Sequence, residues 1–478
     1  MALKVYNTRT RSIEPFAPLE PPHVRIYVCG LTPSAEAHLG HARSFLFFDV
    51  LRRYLDHLGY DVTYVQNVTD IDDRSINRAK ETGEDWYEIV TGYYTSFKRS
   101  IHDRLKIREF DQEPYATKYI PQIIEMIEQL VQLGYAYVSK DGVYYRVAKF
   151  PRYGQLANRN IEELEAGARI EVDEFKDDPL DFALWKFAKP GAPKWPSPWG
   201  EGRPGWHIEC SAMSRTLLDR QGDGFDIHGG GADLIFPHHE NEIAQSEPLM
   251  QHPPMANVWM HGGLLLFDNQ KMSKSLGNFE PLYELLDRHD PQAIRLRFLQ
   301  TGYRKVMNFT EDSVVAAGVA LVTLKRTYRD LARGQNGAAA AGAPPKESAL
   351  MRRIEAALDE DMNTSVALAE LLSYRGHDVQ EFTYALDLLG LGPDESWLEE
   401  PKRALPDDFL IRLREALPNV ALNGEQSAEE AIRKVIDVRT QARADKNWAE
   451  SDRLRDALAH CGVALKDSKE GTSWSVAE

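Results

Sequence analysis

The apolar positions change period at residue 30. Residues 24–29 (VRIYVC) form a short β-branched and aromatic run ending at Gly30, which predicts a buried strand. In residues 41–58 the side chains Phe45, Leu46, Phe48, Val50, Leu51, Tyr54, Leu55 and Leu58 recur at near-helical spacing, predicting an amphipathic helix. Gly59 stops that pattern, and residues 61–68 (DVTYVQNV) read as the next strand. The start of the chain therefore predicts a βαβ unit, with its ligand site beyond the strand carboxyl ends, where Cys29 and His38 both fall.

Further along, YVSKDGVYYRV at 137–147 predicts a hairpin inside a segment that ends in the Pro/Gly/Trp-rich FAKPGAPKWPSPWGEGRPGW. That segment reads as an insertion, because strand, glycine turn and helix resume at FDIHGGG followed by ADLIFPHHENEIAQ. A second strand signal, VWMHGGLLLF, leads into Lys271-Met272-Ser273-Lys274-Ser275. Past Pro281 the pattern is helical, with a low-complexity linker at 334–348 and a small bundle expected over 349–420. From about Ala428 one or two charged helices precede VALKDSKEGTSWSV, a candidate hairpin.

At 478 residues the chain exceeds one core, so about two to four domains are expected. Its formal net charge of −16 argues against a generic nucleic-acid binder, and any RNA partner needs a local basic surface. The segment MALKVYNTRTRSIEPF lacks a signal-peptide core, and no apolar run is long enough to span a bilayer; the expected location is the cytoplasm, with no membrane partner. The three cysteines, Cys29, Cys210 and Cys461, are too few and scattered for a disulfide framework.

Chemistry concentrates in two places. His38-Leu39-Gly40-His41 stands where a strand turns into a helix, so two imidazoles and the helix N-terminal amides can meet phosphate oxygens, and a lysine loop at 271–275 can supply further positive charge. Cys29, Cys210, His238 and Glu242 offer two thiols, an imidazole and a carboxylate, with His238 and Glu242 four apart on one helical face. Spacing leaves two readings open: a zinc site, with His239 as an alternative ligand to His238, or cysteines buried as small hydrophobes. The acidic run Thr69-Asp70-Ile71-Asp72-Asp73 reads as a helix N-cap rather than a magnesium site.

The segments YVCGLT, HLGHARSF, VTYVQNVTDIDD, GWHIECSAMS, FDIHGGGADLIFPHHENEIAQS, KMSKSLGN and ADKNWAESDRLRD resemble the cysteinyl-tRNA synthetase family of class I aminoacyl-tRNA synthetases over nearly the whole chain. One departure is residues 33–37 (PSAEA), where many relatives carry a Val-Tyr-Asp-containing stretch. The resemblance implies an α/β fold: a Rossmann-like catalytic domain in two halves, 1–115 and 201–310, split by a connective insertion at 116–200. A helical bundle at 311–425 and a C-terminal anticodon-binding region at 426–478 follow. It also implies one zinc held by Cys29, Cys210, His238 and Glu242, and ATP with Mg2+ as substrate. The ATP contacts implied are His38, Gly40, His41, Gly229, Gly230, Gly231, Asp233 and Lys274.

His38, His41, Lys271 and Lys274 are the catalytic residues the family implies, with Thr32, Thr69 and Trp206 at the amino acid. The implied partners are L-cysteine, ATP and tRNA(Cys), in a monomer rather than a dimer, with Trp448, Asp452 and Asp467 facing the anticodon. Two alternatives are carried: a mycothiol-pathway ligase joining cysteine to an aminosugar inositol, and a non-catalytic tRNA-binding paralogue. The synthetase-like tail disfavours the first, and the intact His38, His41, Lys271 and Lys274 disfavour the second.

Overall fold

The computed structural model describes residues 2–159, 175–219, 221–271, 280–334, 348–399, 405, 408–422, 427–468 and 471–476. Most of the linker expected at 334–348 and the lysine loop beyond Lys271 lie outside the described residues. The chain divides into two compact units, Met1–Leu398 and Glu399–Glu478.

The first unit is built on a four-stranded parallel sheet in the order Ala256–Gly262, Phe225–Gly231, His23–Leu31, Asp61–Val68. The βαβ unit read from the sequence is its right half: His23–Leu31 pairs in parallel with Asp61–Val68, Ile26 beside Tyr64. Between them runs the helix Leu39–His57, which buries Phe45, Leu46, Phe48, Val50, Leu51, Tyr54 and Leu55 in the core it shares with the sheet and neighbouring helices. Its exit needs Gly59, whose φ of +87° costs a side-chain-bearing residue energy that glycine does not incur.

Between the sheet's two halves in sequence, an antiparallel sheet orders Ala136–Val138, Gly142–Tyr145, Phe182–Phe187 and Gly202–Pro204, and includes the expected hairpin. After the parallel sheet, VWMHGGLLLF does not continue as one strand. It splits into Ala256–Gly262 and Leu265–Phe267, and the latter joins a separate sheet beside Met307–Phe309 and Gln270–Lys271. The break falls at Gly263, where a Cβ would lie 2.5 Å from the Arg304 and Lys305 carbonyl oxygens. Helices Glu311–Gly334, Ala349–Leu358, Thr364–Leu372 and Val379–Leu388 then pack through Leu321, Leu324, Ile354, Leu368 and Phe382.

The second unit has its own core, with Phe409, Leu413, Ile432, Val435, Leu454, Leu458 and Cys461 among its members. Its helices are Phe409–Ala416, Ala428–Ala444 and Trp448–His460. The middle one opens with a capping box, Ser427 and Glu430 each bonding the other's backbone N–H. Val463–Ser468 and Gly471–Val476 then form the antiparallel hairpin expected from the tail.

Candidate active site

His38 is the N-cap of helix Leu39–His57: its Nδ1 accepts the Gly40 N–H at 3.0 Å, while the His38 N–H donates to His41 Nδ1 at 3.3 Å. The two rings stack with centroids 3.8 Å apart. An Nδ1 that accepts places the proton of a neutral imidazole on Nε2, so each ring can donate from its outer nitrogen. Burial, then the charges of His38 and Arg74, push His41 well below the usual histidine range, which keeps it neutral at pH 7.

Two residues on, Arg43 is almost fully buried, and its guanidinium donates to five carbonyls: Gly263 at 2.9 Å, Leu264 at 3.0 Å, Gly302 and Tyr303 at 3.3 Å, and Lys305 at 2.6 Å. It ties the histidine helix to the segments flanking the sheet that contains Gln270–Lys271. Sequence reasoning missed it; the only signal was a basic residue on the apolar side of the helix that follows the histidine motif.

The four residues of the candidate metal set converge at the carboxyl end of the parallel sheet. Cys29 ends a sheet strand's buried run, Cys210 lies in helix Trp206–Leu218, and His238 and Glu242 flank the start of helix Glu240–Ser246. All four are buried, and one ligand atom from each lies within 4.8 Å of the others. Cys29 Sγ is 3.8 Å from Cys210 Sγ and 3.3 Å from Glu242 Oε1, and His238 Nε2 is 3.1 Å from the same oxygen. The segment is not the continuous helix the sequence suggested: Phe236 is extended (φ −139°, ψ 132°) before Pro237, because proline's ring clashes with a helical residue ahead of it.

Electrostatics favour an anion at Cys210 and at Glu242. The hydrogen bond from Cys29 leads the effects that bring the Cys210 thiol down to about 6 against its burial, and burial raises Cys29. Burial works against the Glu242 carboxylate, yet the charge and hydrogen bonds of His228 and His238 hold it at about 2. His238 rises to about 10 despite burial, because it faces Cys210 and Glu242. A proton on His238 thus occupies the place where this donor set invites a cation.

Around this set stands a layer of imidazoles. His228 Nε2 is 2.9 Å from Glu242 Oε2 and its ring stacks on Trp259 at 4.4 Å. His207 Nδ1 meets His238 Nδ1 at 2.9 Å, and His261 bridges Thr8 Oγ1 (2.8 Å) and His239 Nδ1 (2.7 Å). A second overlapping group, Cys29, His228, His239 and Glu242, also satisfies the 4.8 Å limit, so His239 lies close to the site without joining the set of Cys210.

One cleft of about 750 Å³ joins the two chemistries: Cys29, Thr32, His38, Gly40, His41, Trp206, Gly231 and Asp233 all line it. Trp206 also lies over His238 with centroids 4.4 Å apart. Ser34, Ala35 and Glu36, from the departing stretch, line the cleft as well. Gly229 and Gly230 do not reach it; a Cβ would meet the Phe48 ring at 2.3 Å and His239 at 2.9 Å, so their small size serves packing. Thr69 is buried beneath, its hydroxyl accepting from Asn67 Nδ2 at 3.2 Å, and Asp72 caps helix Asp73–Thr82 as expected. Lys271 pairs its backbone with Leu266; Lys274 lies outside the described residues.

In the second unit Trp448 opens its helix 58% exposed, and Asp452 faces solvent beside Arg455 at 3.2 Å. Asp467 accepts from Arg439 (2.9 and 2.8 Å), Arg443 (2.8 Å) and Thr472 (2.7 Å), so three neighbours already engage its carboxylate.

A parallel sheet with a His-x-Gly-His cap at a strand's carboxyl end fits the catalytic domain of a class I tRNA synthetase. The family model described as "tRNA synthetases class I (C) catalytic domain" matches residues 15–318. The fold is shared with Mycobacterium tuberculosis methionyl-tRNA synthetase in complex with methionyl-adenylate, at a TM-score of 0.54 and 14% identity over 77% of this chain and 89% of that one. A second model, "Cysteinyl-tRNA ligase anticodon binding domain", matches residues 426–474. The cysteine–tRNA ligase of Ectopseudomonas mendocina is 46% identical over 489 residues, and that of Pseudomonas aeruginosa 45% over 478, each comparison covering 100% of both chains. The chain belongs to the cysteine–tRNA ligase family.

Proposed function

We propose that this protein activates L-cysteine with ATP and transfers it to tRNA(Cys). The observation that carries the reading is the single cleft lined both by Cys29 of the thiol-rich cluster and by His38 and His41 of the nucleotide motif. In the first step the cysteine carboxylate attacks the ATP α-phosphorus and pyrophosphate leaves; in the second, a terminal ribose hydroxyl of tRNA attacks the carbonyl carbon and AMP leaves.

Neither step needs a protein nucleophile, so the chain's work is positioning and charge stabilisation. His38 and His41 donate from Nε2 to phosphate oxygens, Gly40 lets the backbone approach, and Lys271 and Lys274 neutralise the departing pyrophosphate, whose Mg2+ arrives with ATP. Asp233 and Gly231, at the end of the neighbouring strand, take the ribose side. Gly229 and Gly230 support that turn from behind.

Cys29, Cys210, His238 and Glu242 would hold zinc; two thiols, an imidazole and a carboxylate, buried together with Cys210 and Glu242 poised as anions, suit that ion. When bound, zinc supplies a soft acceptor for the substrate thiolate, against which the hydroxyl of serine competes poorly. Trp206 closes the amino acid pocket over His238, and Thr32 lines the same wall.

Residues 426–478 would read the anticodon, with exposed Trp448 as a stacking surface and Asp452 beside it. Asp467 enters that reading as the residue that fixes Arg439 and Arg443. No helix among the described residues is long and apolar enough to cross a membrane. The test is charging with radiolabelled cysteine, offering tRNA(Cys) and an aminosugar inositol side by side. Label on tRNA alone is expected; label on the sugar alone would overturn the proposal.

A further inference from the structure

Helix Asp73–Thr82 follows Asp61–Val68, the edge strand of the parallel sheet. Its Ser75 and Ile76 are buried, while Arg74, Asn77, Arg78 and Glu81, spaced at 0, 3, 4 and 7 residues along one face, line the cleft shared with His38 and His41. The helix is fixed in place: Asp72 caps it, and Asp73 pairs with Lys186 at 2.7 Å and with Arg203.

The two arginines on this face are weakly committed to the protein. Arg78 forms no ion pair among the described residues and lies over the Tyr93 ring at 5.1 Å. Among the described residues Arg74 pairs only with the cap Asp72 at 2.9 Å, and its side chain is 63% exposed. In a chain of net charge −16, two such cations on a cleft wall are a specific feature. Arg74 is near enough to His41 to help lower its pKa, whereas Arg78 lies one turn further along the helix. The nucleotide motif caps the helix after His23–Leu31, and Asp233 follows Phe225–Gly231, so the nucleotide spans these two adjacent strands. Helix Asp73–Thr82 follows the strand on the far flank of His23–Leu31.

We infer that Arg74, Asn77 and Arg78 form the receiving surface for the single-stranded 3′ end of the tRNA. The inference rests on the ligase reading above. That RNA end must enter this cleft to reach the activated cysteine, and it brings phosphodiesters that guanidinium groups bind in bidentate fashion. Asn77 adds an amide able to donate to and accept from a base edge or a 2′-hydroxyl. Glu81 at the end of the face limits the charge to two phosphates.

The test uses full-length Arg78→Ala and the double variant Arg74→Ala/Arg78→Ala. Cysteine-dependent ATP–pyrophosphate exchange without tRNA is expected to stay within about twofold in Arg78→Ala, while the KM for tRNA(Cys) rises about tenfold per arginine. The dependence of log KM on log salt should flatten by about 0.7 for each phosphate that an arginine no longer neutralises. Binding of tRNA(Cys) trimmed of its 3′-terminal nucleotides should be the same for wild type and variants, because the trimmed RNA has nothing to place on this face.

Arg78→Lys should recover part of the loss. Exchange that falls with charging in Arg78→Ala would place that residue on ATP, and a variant that weakens trimmed and intact tRNA equally would place these arginines elsewhere on the RNA; either overturns the inference. A wild-type chain that charges no tRNA overturns the ligase reading itself, whereas normal wild-type charging with unchanged variants overturns only the assignment of these arginines.

Discussion

Replacing His228 with Phe tests whether the imidazole layer sets metal affinity. His228 and Glu242 are fully buried, and the Nε2–Oε2 distance of 2.9 Å is that of a charge-assisted hydrogen bond. The ring also stacks on Trp259 with an interplanar angle of 12°, so Phe keeps the packing and removes only the donor. Deleting it leaves one oxygen of a buried carboxylate unpartnered, at a cost of about 1.5–3 kcal/mol, or about 10- to 150-fold in an equilibrium constant. The expected outcome is zinc bound about 10- to 100-fold more weakly, in line with other residues that orient a metal-binding carboxylate. The assay is competition with a chromogenic chelator on the full chain, with far-UV circular dichroism to confirm the fold. His228→Gln, whose amide nitrogen can approach the position of Nε2, should recover part of the affinity. A Phe variant that retains zinc as tightly as wild type would refute the reasoning, since Glu242 would then hold its orientation unaided.

Arg43→Met should cost about 4 kcal/mol in urea unfolding, because among the described residues the Gly263 and Lys305 carbonyls lose their only donor, at about 1–3 kcal/mol each. Arg43→Lys, which can serve only part of the five-carbonyl set, should fall between it and wild type; a loss under about 1 kcal/mol in the Met variant would contradict the assignment. Burial, then His228, holds His261 at about 3 against 6.5 in the unfolded chain, so it is neutral in the fold. Unfolding therefore takes up a proton below pH 6.5, and stability falls as pH drops from that value toward 3, by about 2 kcal/mol between pH 7 and pH 5. Urea titrations at the two pH values should show this difference shrink in His261→Gln, and an unchanged difference would count against it.

Elements with one strongly patterned face were legible because their period is a local property. The helix of residues 41–58 and its flanking strands emerged with their expected pairing, and the helix differs mainly in starting at Leu39 under its His38 cap. What escaped depends on partners distant in sequence. VWMHGGLLLF reads as one apolar strand, but it changes sheet at Gly263 because Arg304 and Lys305, some forty residues on, leave no room for a side chain. ADLIFPHHENEIAQ has a helical period, yet Pro237 and the extended Phe236 confine the regular helix to Glu240–Ser246.

The site divides along the same line. Ligand types and the His238–Glu242 spacing were readable, since four residues along a helix fix a distance, and the two side chains do meet at 3.1 Å. The functions of His228 and Arg43 were not, because one acts on a carboxylate 14 residues away and the other on carbonyls more than 200 residues away. A residue-level signal did exist in both cases: each is a buried polar side chain in a segment rich in buried apolar residues. A buried imidazole or guanidinium is costly unless something within hydrogen-bond reach needs it. Applied to FDIHGGG and HARSFLFF before any fold was known, that cost identifies His228 and Arg43 as residues that hold other groups in place, though it cannot say which. The sheet supplies the answer, bringing His228 against Glu242 and Arg43 against the segments beside the lysine strand, so the two motifs of one cleft are held by residues belonging to neither.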